Sequence, residues 1–358
     1  MNYFQTQCLE DPSFFYVVQL DSGAMITNIF WANSKMISDY RHFGDVVTFD
    51  TTYKLVHGNW PFAVFLCLNH HRETVVFGAT FMYDETTDFF GWLFNTFLNV
   101  MSHKTPRTIL TDQDAAMAKT LVQVMPDTKH LLCTWHLIQN AQKHLGNLSV
   151  GGKGIKSVIS KLIYEIEGEK EFLVEWTWME KEFAIENNKW LANLFGLKHV
   201  WARVYVKHVW SAGMRTTQLS ESFNARLKQY LTRQYALPEF FKHFETLLFD
   251  KRYKEYATEY DLLHKISKLK ARSPILDQVG RLYTTNIFDL FQEQLIVADM
   301  SENVRKCNDL GNGVFSYEVA VYNDNFLGSS QGHMTTYYHV HVEKLKWRVS
   351  CAAHSESP

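Results

Sequence analysis

Three acidic side chains stand where hard-metal chemistry could be built. Asp50 ends the apolar run DVVTFD, Asp112 ends RTILTD, and Glu221 lies on the amphipathic stretch TTQLSESFNARLKQYL. Two carboxylates that end neighbouring strands repel each other unless a cation neutralises them. Oxygen donors of this kind suit Mg²⁺ or Mn²⁺. With a third carboxylate from a crossing helix, the set could hold two metals. One would activate a water or a 3′-hydroxyl, and the other would stabilise the leaving oxygen of a phosphodiester. The competing reading is structural, because Asp at a strand end also serves turns and helix caps. Asp114 rivals Asp112, although its place at the start of a helical pattern makes it the more natural cap. Cys133 and His136 (CTWH) have half the spacing of a zinc site, with no second Cys/His pair nearby. A buried Cys with a hydrogen-bonded His is one reading of them, and support for the neighbouring carboxylates is the other.

Such groups need strand ends that line up and a helix that crosses them. Five β-branched or aromatic runs read as strands: 45–50, 60–68 (WPFAVFLCL), 74–83 (TVVFGATFMY), 107–112 and 129–134 (KHLLCT). Apolar residues at helical spacing fill 88–101, 114–125 and the stretch from 135. The order β-β-β-α-β-α-β-α predicts an α/β protein with a mixed sheet flanked by helices. The ribonuclease-H-like fold has that order. From 147 to 210 the strand signals stop, and Trp176, Trp178, Trp190, Trp201 and Trp210 interleave with Lys and Glu. This segment reads as a helical insertion whose tryptophans either pack or stack on bases. In the helix at 216–231, Leu219, Phe223 and Leu227 form an apolar stripe, and Glu221, Asn224 and Lys228 a polar one. Helices continue to about residue 298, β alternation follows from 313, and 351–358 reads as a frayed end. The expected division is a lead-in (1–44), the first part of the core (45–146), the insertion (147–210), a core-completing helical region (211–300) and a β-rich C-terminal segment (301–358).

Composition narrows the function classes. Of 358 residues, 46% are hydrophobic and 21% charged, which excludes wholesale disorder. No apolar run reaches the length of a membrane span, so no membrane partner is expected. The first ten residues lack a secretory pattern. Five scattered cysteines argue for a reducing compartment. Net charge is −2 overall, yet residues 187–281 hold 17 Lys or Arg against 8 Asp or Glu. That segment is either a polyanion surface or a solvated helical face. Arg215, Arg226, Lys228 and Arg233 within it are the candidate DNA contacts.

Four separated motifs carry a family resemblance: DVVTFDTTY (45–53), ILTDQDAAM (109–117), HLLCTWH (130–136) and TTQLSESFN (216–224). In this order and spacing they resemble the Mutator-like (MULE) transposase domain. More narrowly they resemble the FAR-RED IMPAIRED RESPONSE family, transcription regulators domesticated from such transposases. YFQTQCLEDPSFFYVVQLD (3–21) and NIFWANSKMISDYRHFGDVV (28–47) resemble the stretch that precedes the core there. The resemblance implies a ribonuclease-H-like core with a DDE triad at Asp50, Asp112 and Glu221, which selects Asp112 over Asp114, and it places the family's Cys-x-x-His on Cys133 and His136. It also implies Mg²⁺ or Mn²⁺ as cofactor if the triad works, and a nuclear protein with DNA, other nuclear proteins or family members as partners. Relatives usually carry an N-terminal zinc-coordinating DNA-binding domain and a C-terminal SWIM zinc motif. This chain is expected to lack both, with at most Cys351 remaining of the SWIM ligands, so no structural zinc is expected. The implied function is nuclear, light-responsive transcription control with unused chemistry. The alternative is an active DDE transposase or nuclease.

Overall fold

The structure is a computed structural model. It describes residues 2–53, 55–56, 60–231, 236–265, 267–270, 273–309, 314–323, 334–343 and 349–355, with side chains between residues 3 and 296 except at 274. The chain divides into two compact units, Met1–Thr258 and Glu259–Pro358.

The first unit begins with α1 (Asn2–Glu10), β1 (Phe15–Leu20), β2 (Ile26–Ala32) and α2 (Ser34–Phe43). Three strands follow, β3 (Val46–Thr52), β4 (Phe62–Leu68) and β5 (Thr74–Phe81), then α3 (Thr87–Val100), β6 (Thr108–Thr111), α4 (Ala115–Val124), β7 (Lys129–Leu132) and α5 (Thr134–Leu145). From β3 onward this is the β-β-β-α-β-α-β-α order. The strands form one mixed sheet in the order β1-β2-β5-β4-β3-β6-β7. Pairs from β1 to β3 are antiparallel, whereas β3–β6 and β6–β7 are parallel. The sheet is seven-stranded rather than five-stranded, because part of the expected lead-in, β1 and β2, extends it at the β5 edge. Edge pairing satisfies backbone groups that β5 would otherwise present to solvent.

Alternation along the strands sorts the core. Phe49 and Phe65 face α3, where Phe65 stacks on Phe97 with ring centroids 4.1 Å apart and Phe49 meets Phe94 edge-on at 5.8 Å. Phe62, Phe81 and Trp31 face the other way, onto Phe240 and Phe244 of the long helix Leu237–His264. With helices on both faces, β3 and β4 are buried along nearly their whole length.

After α5 the chain makes a small hairpin, β8 (Ser149–Val150) and β9 (Lys153–Gly154), then α6 (Ile155–Tyr164), α7 (Glu169–Glu182), α8 (Lys189–Gly196), a 3₁₀ turn (Lys198–Val200) and α9 (Arg203–Val206). These helices have a core of their own, which includes Ile159, Leu162, Phe172, Met179, Leu191 and Leu194. Trp176 and Trp201 are buried in it, and the Trp201 Nε1 donates to the Leu194 carbonyl at 2.9 Å. Trp210 is 60% exposed. The insertion leaves and returns at one point: the backbone N–H and hydroxyl of Thr134 donate to the Arg215 carbonyl at 3.1 and 2.9 Å. The chain then forms α10 (Gln218–Tyr230) and the long helix α11 (Leu237–His264).

The second unit holds α12 (Pro274–Val279), α13 (Thr285–Ser301) and an antiparallel sheet of β10 (Glu302–Asp309), β11 (Val314–Asn323), β12 (Met334–Glu343) and β13 (Val349–Ser355), each paired with the next. Residues 351–355, expected as a frayed end, instead continue β13. They pair with β12 from Val340↔Cys351 to Thr336↔Ser355, so the ladder holds backbone that composition alone leaves unpaired.

Candidate metal centre

Parallel pairing of β3 with β6 aligns the carboxylates. The register runs Val46↔Thr108, Val47↔Ile109 and Thr48↔Leu110. Two residues further on, Asp50 comes level with Asp112, the first residue past β6. Side chains two apart share a face, so Asp50 projects with Thr48, on the face opposite Phe49. That face is covered by α10, whose Ser220 hydroxyl lies 3.3 Å from the Thr48 hydroxyl. The adjacent residue is Glu221, in the first turn of α10. Sheet register therefore sets two of the carboxylates and helix docking the third.

The N-terminal end of α5 closes the site. Cys133 occupies the N-cap position, and its Sγ accepts hydrogen bonds from the Thr217 N–H and hydroxyl, both at 3.2 Å. His136 stands one turn into the helix. Its Nε2 is 4.0 Å from Asp50 Oδ1, and its Nδ1 is 3.4 Å from the Thr217 hydroxyl. Ligand atoms of Cys133, His136 and Glu221 all lie within 4.8 Å of one another. Thr217 thus reaches Cys133 and His136 from the far end of the insertion.

Electrostatics mark the site as short of positive charge. Burial pushes the Asp50 carboxyl up to about 7; His136 opposes the rise, while Asp112, Cys133 and Glu221 add to it. Burial likewise pushes Asp112 up to about 6, opposed by His136 and reinforced by Asp114 and Glu85. Glu221 is raised by burial too. Three buried oxygens here have no hydrogen-bond partner: Asp112 Oδ1, Glu221 Oε1 and Asn224 Oδ1. Unsatisfied buried acceptors are costly, and a cation is one partner that can satisfy several at once. Oxygen-only donors and orphaned oxygens are the chemistry a hard divalent ion takes, but among the described residues the ligand atoms of Asp50, Asp112 and Glu221 do not form a trio within 4.8 Å of one another, so holding one ion would need their side chains to move.

The other residues singled out from sequence separate. Asp114 is the N-cap of α4, its carboxylate accepting from the Met117 N–H at 2.7 Å. Of the polar stripe on α10, Asn224 is buried, Glu221 is half-buried and Lys228 is exposed. Arg226 is also exposed, and Arg215 is half-buried where its carbonyl closes the insertion. Arg233 lies outside the described residues. Thr217 and Asn224 join the site without standing among the ligands expected there. Asn224 carries a signal in the sequence, since it lies three residues from Glu221 on one helix face. Thr217 carries none, because its role depends on Cys133 being brought beside it.

Comparison with known proteins shows what the chain is similar to. Residues 46–140 match the model of the MULE transposase domain. Over 351 residues, 98% of this chain, it is 32% identical to Protein FAR1-RELATED SEQUENCE 5 of Arabidopsis thaliana, covering 43% of that protein. It is 30% identical to Protein FAR-RED IMPAIRED RESPONSE 1 of the same plant over 91% of this chain and 40% of the relative. The chain thus spans less than half the length of these curated relatives. It carries a MULE transposase domain that includes Asp50, Asp112, Cys133 and His136, and it is similar to the FAR1-related proteins over nearly its whole length.

Proposed function

We propose that this chain is the ribonuclease-H-like core of a nuclear, DNA-associated transcription regulator that retains the divalent-metal site of its transposase ancestry. The observation that carries the reading is the kinship with FAR-RED IMPAIRED RESPONSE 1 and its related sequences across nearly the whole chain. In support of the fold, parallel strands β3 and β6 end in level carboxylates and a helix-borne glutamate crosses them. In support of DNA as a partner, residues 187–281 carry a surplus of basic side chains, and Arg226 and Lys228 on α10 are exposed. DNA, other nuclear proteins and further copies of family members are its partners in this reading.

A second reading, metal-dependent cleavage and strand transfer, is supported by Asp50 and Asp112 coming level at the ends of β3 and β6, with Glu221 in the first turn of the helix that covers that face. Asp50, Asp112 and Glu221 would hold Mg²⁺ or Mn²⁺, which supplies Lewis acidity at a phosphodiester when bound. The chain's own part is to bring two strand-end carboxylates and a helix-borne one to the same side of the sheet, where burial favours their protonated forms until a cation binds. Burial raises all three carboxyls, and His136 opposes that rise in each.

One experiment separates the readings. Mn²⁺ binding, end-repeat DNA cleavage and reporter-gene control are measured for the wild type and for Asp50→Asn/Asp112→Asn. The regulator reading expects the double variant to lose Mn²⁺ and still control the reporter. Loss of reporter control together with cleavage would transfer the function to catalysis. DNA affinity should also fall linearly with log salt, and Arg226→Ala/Lys228→Ala should flatten the slope by about 2.

A further inference from the structure

We propose that Cys133, His136 and Glu221 form a second metal position, selective for Zn²⁺, beside the Asp50–Asp112 pair. It goes beyond the preceding readings, because it needs neither catalysis nor DNA.

Three observations carry it. The three side chains already bring one sulfur, one imidazole nitrogen and one carboxylate oxygen within 4.8 Å of one another. A tetrahedral zinc with bonds of about 2.0–2.3 Å holds its ligands about 3.3–3.8 Å apart, so closing the site takes a shift of about 1 Å. The donor types are the second observation. Sulfur and imidazole suit Zn²⁺ and disfavour Mg²⁺, whereas Asp50 and Asp112 offer only oxygen. The third is the state of the ligands. Glu221 Oε1 is buried without a partner, and Thr217 fixes the other two side chains through hydrogen bonds to Cys133 Sγ and near His136 Nδ1. Outer hydrogen bonds of that kind orient metal ligands.

In the sequence, Cys133 and His136 are half a site with no second pair nearby. The missing ligand comes from α10, beyond the whole insertion. Zinc here would clip the start of α5 to the start of α10 and so lock the point where the insertion leaves and returns. It would also engage Glu221, the carboxylate that a hard ion at Asp50 and Asp112 would share. Zn²⁺ and Mn²⁺ therefore compete although their other ligands differ.

The test uses the full chain, stripped of metal by chelation and titrated with Co²⁺ and then Zn²⁺. Cobalt bound to Cys133 is expected to give a thiolate-to-metal charge-transfer band at one equivalent, which Zn²⁺ bleaches. Zinc should raise the melting temperature. Cys133→Ser should abolish the band and weaken Zn²⁺ affinity at least tenfold, while Asp112→Asn, which removes a hard ligand only, should keep the band. Should Cys133→Ser not fold, His136→Asn reads the same site through a similar loss of Zn²⁺ affinity. No band in folded wild type, or a band unchanged in Cys133→Ser, would overturn the proposal. Failure of the hard site shows separately, as Mn²⁺ binding absent from a protein that still gives the cobalt band.

Discussion

The sheet core and the insertion core are both aromatic, but they hold the site differently. In the sheet, Phe49 and Phe65 pack on α3 between strands whose hydrogen bonds fix every residue's height. Asp50 and Asp112 inherit that rigidity, since moving either would slip a register. In the insertion, Trp176 and Trp201 hold helices together around a self-contained core. Its contribution to the site is to bring Thr217 and Glu221 back beside Cys133 and His136. One core sets positions, and the other closes a long excursion of the chain so that ligands distant in sequence meet.

That contrast can be broken by removing one large side chain from each core. Phe65→Ala and Trp201→Ala should each cost about 3–5 kcal/mol. Hydrogen exchange should distinguish them: Phe65→Ala lowers protection across the first unit, whereas Trp201→Ala lowers it mainly within 147–210. Equal loss in both variants would mean the two cores unfold as one.

Asp50→Asn tests the strand-end carboxylates. Burial raises the Asp50 carboxyl to about 7 from an unfolded value of about 4. The folded state then binds the proton more tightly than the unfolded state. That stabilisation is complete below about pH 4 and is lost as pH rises through about 7. Without divalent metal, Asp50→Asn should melt several degrees above wild type near pH 8 and show no such advantage near pH 3.5. Saturating Mn²⁺ should reverse the order near pH 8, because only wild type gains from binding.

The smallest effect concerns the closure of the insertion. Thr134→Val removes the hydroxyl that donates to the Arg215 carbonyl and contacts the Tyr164 hydroxyl at 2.8 Å. The Thr134 N–H still serves that carbonyl, so the loss should be about 1 kcal/mol, measured by denaturant unfolding. If the closure positions Glu221, Mn²⁺ affinity falls as well; if affinity is unchanged, sheet register and Ser220 docking suffice.

By itself the sequence determined the periodicities and the chemistry available. Period-two runs mark β3 to β7 within a few residues of their ends, Asp114 announces its cap, and the four motifs carry the family resemblance. Those signals are local, so they survive without tertiary contacts. Tertiary structure alone decided which groups meet. It recruited β1 and β2 to the sheet, because an edge strand is defined by its neighbour rather than by its composition. It also set Thr217 and Glu221 against Cys133 and His136, because contacts across a long insertion depend on the packing of everything between. The unpartnered oxygens of Asp112, Glu221 and Asn224 belong to that second class: a carboxylate or amide in sequence has no partner to lack until folding removes the water around it.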